Sequence, residues 1–542
     1  MTTFSLVSYG HTLIIPLMIH DVAILGAGHN GLICAAYLAQ AGLKVAVLER
    51  RQIIGGAVCT QDDIIPGCKI DVGSSVHIMI HLTPVLRELN LASHGLQYIE
   101  MDPWASFPIP GEKKCILFWR DLQKTCESIA TISPADALKY RNFVNHYIEL
   151  NRGIFETFLM PPTPGRLALT MLRRNFLHPV SRKMWSSLDT TRQLMAPYRG
   201  LIEELFEHPH IRTALEWLAA QAGPPPVEPA TGDLLGWNAM LHQCGAYRAR
   251  GGSGALTAAL GKKIASHGGD IYTQFEATDA RHSDHLWIIK SADGREILSR
   301  RLVSAMHIVP FLTKIWSQAP EALRQKALAL RIGNGFGMIV RHLVSELPAY
   351  TRDDVINNLC HRGLQLLCPN RNHLLSSYID YLAGLPPSHP SVVGMTFTAL
   401  DPTLAPSGKH LLYTWGQWHP HHLSNGENWP AIAEREADKL YDLVCLYAPN
   451  MRGALIDRFI QSPDRISEML ALPNANVMHL EMSIDQMFFF RPMPELCAYK
   501  VPQAKNLYLT GASTHPGGGV FGASGHNTAK RILQEIGLDS HR

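Results

Sequence analysis

The feature that most constrains this chain is a glycine-spaced turn between two apolar segments near its start. The stretch "VAILGAGHNG" predicts a buried parallel strand that leads into Gly26-x-Gly28-x-x-Gly31. A helix is expected from about His29 to Gln40, and "KVAVLE" is expected to form the next parallel strand. A strand–turn–helix–strand unit of this kind indicates the start of a doubly wound α/β domain.

Each glycine of this turn has a distinct predicted role at a dinucleotide site. Gly26 allows the tight turn, Gly28 lets the backbone approach a pyrophosphate, and Gly31 lets the helix pack closely on the strand. The helix N-terminus, at Asn30, offers free N–H groups and a partial positive charge to the phosphates. Glu49 ends the second strand, where a carboxylate accepts hydrogen bonds from a ribose diol and repels a 2′-phosphate. The unit therefore argues against NADP.

The continuation "ERRQIIGGAV" bears on which dinucleotide is bound. Arg51 precedes a second glycine turn that is formed by Gly55, Gly56 and Ala57. This arrangement resembles a large flavoprotein group that includes amine oxidases and phytoene desaturases. In that group the segment passes beside the FAD pyrophosphate and ribityl chain, so the resemblance implies FAD as the cofactor.

Two later stretches resemble the remaining parts of a discontinuous FAD site. In "YRARGGSGALTAALGKKIASHGGDIYTQFEA" a glycine turn precedes a helix and the strand "DIYTQF", whose end in the resembling proteins contacts the adenine, here at Ala277. A strand is then expected at residues 302–305. A generic helix–strand unit explains this pattern equally well.

The second of these stretches is "KNLYLTGASTHPGGGVFGASGHNTAKRIL", with a short buried strand, a glycine turn and a helix of small residues. The predicted cofactor contacts here are Gly511, Ala512, Gly518, Gly519 and Val520. A glycine turn at a helix N-terminus suits the negative charge that develops on a reduced flavin ring. The alternative, a glycine-rich surface loop, fits poorly between a buried strand and a helix.

From about Met18 to Leu533 the chain resembles the bacterial-type phytoene desaturase superfamily of FAD-dependent oxidoreductases, most closely the β-carotene ketolases of the CrtO type. The stretches that carry the resemblance include "LRELNLASHGLQYI", "AGPPP", "RARGGSGALT" and "NVMHLEMSIDQMFFFRP". The resemblance implies an α/β fold with a discontinuous, Rossmann-like FAD-binding domain and an inserted α+β substrate domain.

The domain boundaries follow from the same resemblance. The implied FAD-binding domain comprises residues 18–110, 225–310 and 470–542, and the implied substrate-binding domain comprises residues 111–224 and 311–469. Residues 1–17 resemble a signal peptide only weakly, because they lack a positively charged start. We therefore expect them to be a disordered extension or a mis-assigned start, with Met18 as the first residue of the native protein.

Composition narrows the function classes further. The net charge of +3 gives no indication of a nucleic-acid partner, and no run of apolar residues is long enough for a transmembrane helix. The ten cysteines form no C-x-x-C pair, so neither a metal site nor a dithiol centre is predicted, and a reducing, cytoplasmic compartment fits. Residues 166–185 suit a basic helix on an anionic membrane surface, although a solvated face of an ordinary helix explains them too.

The function implied by the resemblance is oxidation of a carotenoid or similar hydrophobic polyene, with 4-ketolation of β-carotene as its most specific form. Desaturation or isomerisation on the same scaffold is the first alternative. A protein like the pyridine nucleotide-disulfide oxidoreductases that acts on another lipid is the second. A non-enzymatic carrier of hydrophobic ligands is a third, which the complete set of nucleotide motifs disfavours.

Three residues are candidate catalytic groups near the flavin ring: His515, Arg491 and His479. His515 directly precedes the Pro–Gly turn and is the first choice, although a lone histidine is more often structural. Arg491 follows the aromatic run of "SIDQMFFFRP", where it either supports the site or forms an ion pair with Asp485. Gln486 lies in the same stretch. The aromatic residues expected to line an apolar substrate tunnel or to fill an ordinary core are Trp185, Trp217, Trp237, Phe488, Phe489 and Phe490.

Overall fold

The computed structural model describes residues 18–112, 114–163, 165 and 188–538. The predicted N-terminal extension and the basic segment at 166–185, including Trp185, lie outside the described residues. The strands are β1 Ile19–His20, β2 Val22–Leu25, β3 Val45–Leu48, β4 Thr60–Gln61, β5 Ile70–Asp71, β6 Tyr98–Met101, β7 Ala105–Pro108, β8 Cys115–Phe118, β9 Ala246–Ala249, β10 Asp270–Tyr272, β11 Ala277–Ser283, β12 Leu286–Ser291, β13 Glu296–Ser299, β14 Leu302–Ser304, β15 Gly337–Val344, β16 Leu364–Leu367, β17 Val392–Met395, β18 His410–Gln417, β19 Leu455–Gln461 and β20 Leu507–Leu509.

The α-helices of the described residues are numbered in the same way. They are α1 His29–Gln40, α2 Val85–Glu88, α3 Leu122–Ala130, α4 Pro134–Phe158, α5 Leu188–Met195, α6 Tyr198–Leu205, α7 Pro209–Ala220, α8 Gly232–Trp237, α9 Leu241–Cys244, α10 Gly254–Ser266, α11 Ile308–Pro310, α12 Glu321–Leu328, α13 Asp354–Cys360, α14 Arg371–Leu382, α15 Trp429–Tyr447, α16 Pro463–Leu470 and α17 Ala523–Glu535. None of the helices in these ranges is both long and apolar enough to cross a bilayer.

A five-stranded parallel sheet, in the order β10-β3-β2-β14-β20, supports the predicted nucleotide site. Its strands come from three distant parts of the chain, as a discontinuous domain requires. The central strands β2, β3 and β14 are buried along their whole length. Continuous runs of aliphatic residues are typical of parallel strands that are covered on both faces.

The two faces of this sheet are covered by different layers. Val22 and Ile24 of β2 pack with the helices α1, α10 and α17. Ala23 and Leu25, which point to the opposite face, pack with Trp287 and other residues that belong to a second sheet. That second sheet has four strands in the order β1-β13-β12-β11. The result is the α/β architecture predicted from the sequence.

A seven-stranded mixed sheet, in the order β19-β15-β18-β17-β16-β7-β8, forms the other large body of the fold. All its pairs are antiparallel except β16 with β7. Strand β7, at residues 105–108, precedes the boundary predicted at residue 110, yet it belongs to this sheet and not to the parallel one. The prediction assigns β7 to the FAD-binding domain, but β7 pairs with strands that all lie in the predicted substrate-binding domain.

Buried arginines tie this mixed sheet to the parts around the predicted nucleotide site. Arg341 of β15 is fully buried and donates hydrogen bonds to the carbonyl oxygens of Asp71 and Val72. The Asp71 carboxylate also lies 2.7 Å from the guanidinium of Arg248, and both side chains are fully buried. Because a buried charge is costly without a partner, this cluster fixes how the segments meet.

Candidate functional site

The first glycine turn has the geometry of a pyrophosphate cradle. Gly26 has φ +98°, in the left-handed region, so the tight turn requires glycine there. A Cβ on Gly31 would collide with the carbonyl oxygen of Gly26, so any side chain would push α1 away from the turn. A Cβ on Gly28, in contrast, would meet no heavy atom within 4 Å. The backbone at Gly28 therefore faces open space at the start of α1.

The second turn lies directly beside the first. The N–H of Gly55 donates to the carbonyl oxygen of Ala27 at 2.8 Å, and a Cβ on Gly56 would lie 3.1 Å from the Cα of Gly28. Arg51 donates to the carbonyl oxygen of Gly56 at 2.7 Å, which holds a cation close to the open space at Gly28. Ala57 follows the turn and contacts Gly73.

Glu49 is almost fully buried at the C-terminal end of β3. Its two carboxylate oxygens accept hydrogen bonds from the N–H groups of Ala27 and Arg51, at 2.9 and 3.0 Å. Each carboxylate oxygen keeps a further lone pair for a ligand hydroxyl. The N–H of Phe275 donates to the Glu49 carbonyl oxygen at 2.8 Å, and Ala277 starts β11 two residues later. The predicted adenine contact thus lies close to the predicted ribose contact.

The C-terminal stretch packs against the first glycine turn. A Cβ on Gly511 would lie 3.1 Å from the carbonyl oxygen of Ala305, at the end of β14. A Cβ on Gly525, in the first turn of α17, would collide with the carbonyl oxygen of Asn30, and the Gly525 N–H donates to the Asn30 side-chain oxygen at 3.3 Å. Gly518 and Gly519 lie in the turn before α17, and Val520 packs against the same apolar cluster as α1.

Two helix N-termini therefore meet at this place, and both are open to an anion. Neither α1 nor α17 has a side-chain cap or an acidic residue in its first turn. The unpaired N–H groups and the partial positive charge of a helix N-terminus attract phosphate. With the open space at Gly28, the Arg51 cation and the buried Glu49 carboxylate, the residues present fit a dinucleotide whose pyrophosphate lies over α1.

His515 lies at the glycine turn and is fully buried. Its Nε2 lies 3.2 Å from the carbonyl oxygen of Thr157, so Nε2 carries the proton and donates, and Nδ1 has no hydrogen-bond partner among the described residues. The imidazole packs edge-on against Phe158, with 5.5 Å between the ring centroids. It also packs against Phe488 in a tilted arrangement, with 5.9 Å between the ring centroids. Burial lowers the pKa of His515 to about 3, so it is a neutral imidazole near pH 7.

Arg491 does not form the ion pair that the sequence offered as an alternative. Asp485 pairs instead with Arg331, at 2.6 Å, on the protein surface. The Arg491 guanidinium is fully buried and donates to backbone carbonyl oxygens, including those of Ala512 at 2.8 Å and Met478 at 2.6 Å. The ion-pair prediction was wrong because Arg331, more than 150 residues earlier in the chain, competes for Asp485. Arg491 instead joins the backbone of residues 478–486 to that of Ala512, which precedes the glycine turn.

His479 lies beside Arg491 and stacks on His307, with 4.9 Å between the ring centroids. Its Nδ1 lies 2.9 Å from the Ser513 hydroxyl, and burial holds its pKa well below the usual range. His307 was not identified from the sequence, because only the fold brings it next to residue 479. His29 was also missed, although it lies inside the glycine motif. Burial lowers the pKa of His29 to about 4, while a hydrogen bond to the Gly519 backbone acts in the opposite direction.

The predicted tunnel aromatics divide into two groups. Trp237 and Phe488 both pack against Phe158, next to His515. Trp217 is fully buried beneath the seven-stranded sheet, where its Nε1 donates to the Val392 carbonyl oxygen at 3.3 Å. Phe490 is 41% exposed, and its one aromatic contact among the described residues is a tilted contact with Phe489. Only the first group lies at the candidate site.

A cleft lies next to the glycine turn. We name it the Trp418 cleft. Met478 and Met482 form the wall nearest the turn, where a Cβ on Gly518 would collide with Met478 and one on Gly517 would lie 2.9 Å from the Met482 sulfur. Its lining is Gly223, Pro224, Pro225, Glu228, Gly333, Gly335, Phe336, Tyr378, Tyr381, Trp418, Asn476, Met478, Glu481, Met482 and Ser483.

Comparisons with known proteins agree with this geometry. Residues 31–337 match the family model described as flavin containing amine oxidoreductase. The chain is 29% identical over 95% of its length to "Pyridine nucleotide-disulfide oxidoreductase domain-containing protein 2" of Mus musculus, covering 94% of that protein. It is 25% identical over 95% of its length to "Phytoene desaturase (lycopene-forming)" of Pantoea ananas, covering 99% of that protein.

A solved structure of an oxidoreductase from Methanosarcina mazei shares the fold with a TM-score of 0.61 at 16% sequence identity. The match covers 95% of this chain and 100% of that chain. The family model spans more than half of the chain. The chain belongs to the flavin containing amine oxidoreductase family, as a phytoene desaturase-like FAD-dependent oxidoreductase.

Proposed function

We propose that this FAD-dependent oxidoreductase dehydrogenates a carotenoid or similar polyene. The observation that carries the proposal is the aromatic surrounding of His515 at the glycine turn. Phe158, Phe488 and Trp237 lie there, and the imidazole itself is uncharged near pH 7. A hydrocarbon brings no charge that needs a partner, so such surroundings suit it better than an ionised substrate. The named desaturase relative, similar over nearly its full length, supports the same class.

FAD, when bound, would supply the acceptor for a hydride, which is the hydrogen of a substrate C–H bond together with its two bonding electrons. The chain supplies the cradle: Gly28, Asn30 and Arg51 for the pyrophosphate, and Glu49 for the ribose. It also supplies a dry surface that positions the polyene. Formation of a new double bond releases a proton from the adjacent carbon, and that proton needs an acceptor.

His515 is the proposed proton acceptor. Its Nε2–H is held by the Thr157 carbonyl oxygen, so the lone pair of Nδ1 is free to accept a proton. Because burial favours the neutral imidazole, Nδ1 is unprotonated near pH 7, before the proton is transferred. Arg491 and His479 are positioning residues. Arg491 donates hydrogen bonds to the carbonyl oxygens of Ala512 and Met478, and His479 hydrogen-bonds to the Ser513 hydroxyl.

Ketolation of β-carotene at C4 is a second candidate, favoured by the resemblance of stretches such as "NVMHLEMSIDQMFFFRP" to ketolases. Dehydrogenation comes first because hydride removal and proton transfer complete it. Ketolation also inserts an oxygen atom and needs a further reactant, such as molecular oxygen. Isomerisation of the same polyene is the remaining alternative on this scaffold.

Pigment analysis in two bacterial hosts tests the proposal. In a host that accumulates phytoene, we expect pigments with longer conjugation when the full chain is expressed. In a host that accumulates β-carotene, echinenone or canthaxanthin would instead establish the ketolase. Unchanged pigments in both hosts, with the protein in the extract and loaded with flavin, would reject a carotenoid substrate.

The role of His515 is tested with the purified holoenzyme on whichever polyene is converted. We expect His515→Gln to lower turnover at least about 100-fold while FAD content stays unchanged, since general base catalysis contributes on that scale. His389→Gln is the matched control, because His389 is exposed and its ring packs on His373 of α14. Turnover within twofold of the wild type in His515→Gln would rule the histidine out as the proton acceptor.

A further inference from the structure

Helix α4 ends beside His515, and side chains from the C-terminal part of the chain hold its last carbonyl groups. The final four carbonyl oxygens of a helix have no partner within that helix. Here the Thr157 carbonyl oxygen accepts from Nε2 of His515 at 3.2 Å, and the Phe158 carbonyl oxygen accepts from Nδ2 of Asn527 at 2.9 Å. His515 precedes the glycine turn and Asn527 follows it in α17, so the two bonds tie the end of α4 to this turn.

Tyr499 joins these two bonds into one network. Its hydroxyl donates to the His515 carbonyl oxygen at 3.1 Å and accepts from Nδ2 of Asn527 at 2.9 Å. An amide nitrogen carries two hydrogens, so Asn527 donates one to Phe158 and the other to Tyr499. Tyr499, Asn527 and His515 are each at most 3% exposed. We call the bonds that join these three residues to the last two residues of α4 the Tyr499 network. Because an unpaired buried polar group costs free energy, each of its bonds holds the others in place.

The backbone at Tyr499 has a conformation that a bulky residue rarely adopts. Its φ is +64°, in the left-handed region. The N–H of Leu509, on β20, donates to the Tyr499 carbonyl oxygen at 2.8 Å and so holds the residue there. Phe488, which contacts the His515 ring, has φ +52° as well. Such backbone persists only where the surrounding structure enforces it, and it is concentrated at active sites. The fold therefore imposes the position of the Tyr499 hydroxyl.

The Thr157 carbonyl oxygen offers His515 more than a hydrogen-bond acceptor. The C-terminus of a helix carries a partial negative charge, which stabilises a cation that is placed there. Helix α4 is 25 residues long and has no basic side chain of its own in its last turn. Burial lowers the pKa of His515, the hydrogen bond to Thr157 raises it, and the Arg491 cation lowers it further. The end of α4 thus favours the charged form of His515 against its buried surroundings.

We propose that Tyr499 and Asn527 are positioning residues for proton transfer. They hold the end of α4 so that the Thr157 carbonyl oxygen binds Nε2–H of His515 and stabilises the imidazolium that forms when Nδ1 takes the substrate proton. Both act through this contact and not by touching the substrate. The inference rests on the proposed function and extends it from His515 to the residues that orient it.

Turnover measured in a double-mutant cycle tests whether Tyr499 acts through His515. The substrate is the carotenoid that is converted in the pigment analysis, phytoene or β-carotene, and the protein is the FAD-loaded full chain. We expect Tyr499→Phe to lower kcat about tenfold and to leave KM unchanged, since one hydrogen bond contributes on that scale. In a His515→Gln protein the same substitution should leave kcat unchanged, because the group that it positions is gone.

Tyr441→Phe is the matched control for the lost hydroxyl. Tyr441 is also buried, and its hydroxyl donates to a backbone carbonyl oxygen, that of Met451, at 2.8 Å. It lies on α15 and packs in the apolar cluster that covers the seven-stranded sheet, so its hydroxyl belongs to a different part of the fold. We expect this substitution to leave kcat unchanged.

Urea unfolding of the holoenzyme tests the Tyr499 network without turnover. Asn527→Leu removes both hydrogen bonds that the Asn527 amide donates and keeps a similar side-chain volume. Because Tyr499 and Asn527 share one of these bonds, their substitutions should not be additive. We expect the double variant, Tyr499→Phe with Asn527→Leu, to lose less stability than the two single variants lose together.

The outcomes separate this inference from the function that it extends. A wild-type kcat in Tyr499→Phe, or additive losses of stability, would overturn it and leave the oxidation of polyenes standing. An equal fall in kcat with and without His515 would also overturn it, because Tyr499 would then support only the fold. A wild-type holoenzyme that converts neither carotenoid would reject it together with the proposed function.

Discussion

At the scale of single residues, two glycines three positions apart show how the same residue type serves different purposes. A side chain at Gly31 would collide with the backbone of Gly26, so this position serves packing. A side chain at Gly28 would extend into open space, and the backbone there has φ −67° and ψ 162°, which any residue adopts. The open space at Gly28 is where the predicted pyrophosphate would lie.

We therefore expect Gly28→Val to fold but to lose FAD. The valine side chain would occupy the space that the pyrophosphate needs, without contacting the protein. The measurement is the flavin absorbance near 450 nm per protein in purified samples, together with the circular dichroism spectrum. Gly200→Val is the control. Gly200 lies exposed on α6, outside the glycine turns, and a Cβ there also meets no atom within 4 Å. A Gly28→Val protein with full flavin content would contradict the assignment of the cradle.

Arg491 provides a second residue-scale prediction. Its guanidinium is buried and donates to backbone carbonyl oxygens of residues 478–486 and of Ala512. Arg491→Met would leave these acceptors unpaired, and we expect a loss of about 3 kcal/mol in the free energy of unfolding. Urea unfolding of the holoenzyme measures it. Unchanged stability with lost activity would instead assign Arg491 a catalytic role.

At the scale of elements, the sequence predicts well what short-range patterns determine. Helix α1 has the predicted bounds because the glycine turn defines its start and the apolar period its length. The predicted strand "DIYTQF" is paired only over Asp270–Tyr272, because β3, its sole neighbour in the sheet, ends at Leu48. Its remaining residues follow the chain at Glu49 and Arg51 by backbone hydrogen bonds instead.

Contacts between distant elements could not be predicted in this way. No local pattern pairs Asp485 with Arg331, places Met478 against Gly518, or joins β7 to the seven-stranded sheet. For residues 505–533 the sequence predicts a strand, a glycine turn and a helix, but no local pattern shows which element that helix contacts. The structure identifies it for Gly525, which lies against the backbone of α1.

This crossing of α1 and α17 predicts the effect of Gly525→Ala. The added methyl group would collide with the Asn30 carbonyl oxygen and lie 3.0 Å from the Ile33 Cβ, and neither can move without shifting α1. Overpacking of this kind costs about 1–3 kcal/mol. We expect a lower thermal midpoint and weaker FAD retention on dilution, since the crossing also shapes the cradle. Gly200→Ala, at an exposed position in helix α6, should lower neither, since alanine favours the helix.

At the scale of the whole molecule, the chain buries an unusual set of neutral histidines. Burial lowers the pKa of His77, His342, His419 and His515 to about 3 in each case. They lie in different parts of the fold: His77 near α10, His342 on β15, His419 after β18 and His515 at the glycine turn. Each is held neutral in the folded protein at a pH where the unfolded chain would bind a proton.

The folded protein should therefore lose stability as the pH falls below 6.5. Between pH 6.5 and about 3 the unfolded state binds more protons than the folded state, and above pH 6.5 the two bind equally many at these sites. Each histidine then lowers the free energy of unfolding by up to about 1.4 kcal/mol per pH unit. Urea unfolding of the holoenzyme at pH 7.5, 6.0 and 5.0 measures the slope before most carboxylates titrate. His342→Gln can still hydrogen-bond to Thr414. It removes one proton-binding site, so the slope should fall by up to about 1.4 kcal/mol per pH unit. A stability that is the same at pH 7.5 and pH 5.0 would show that these histidines can be charged inside the fold.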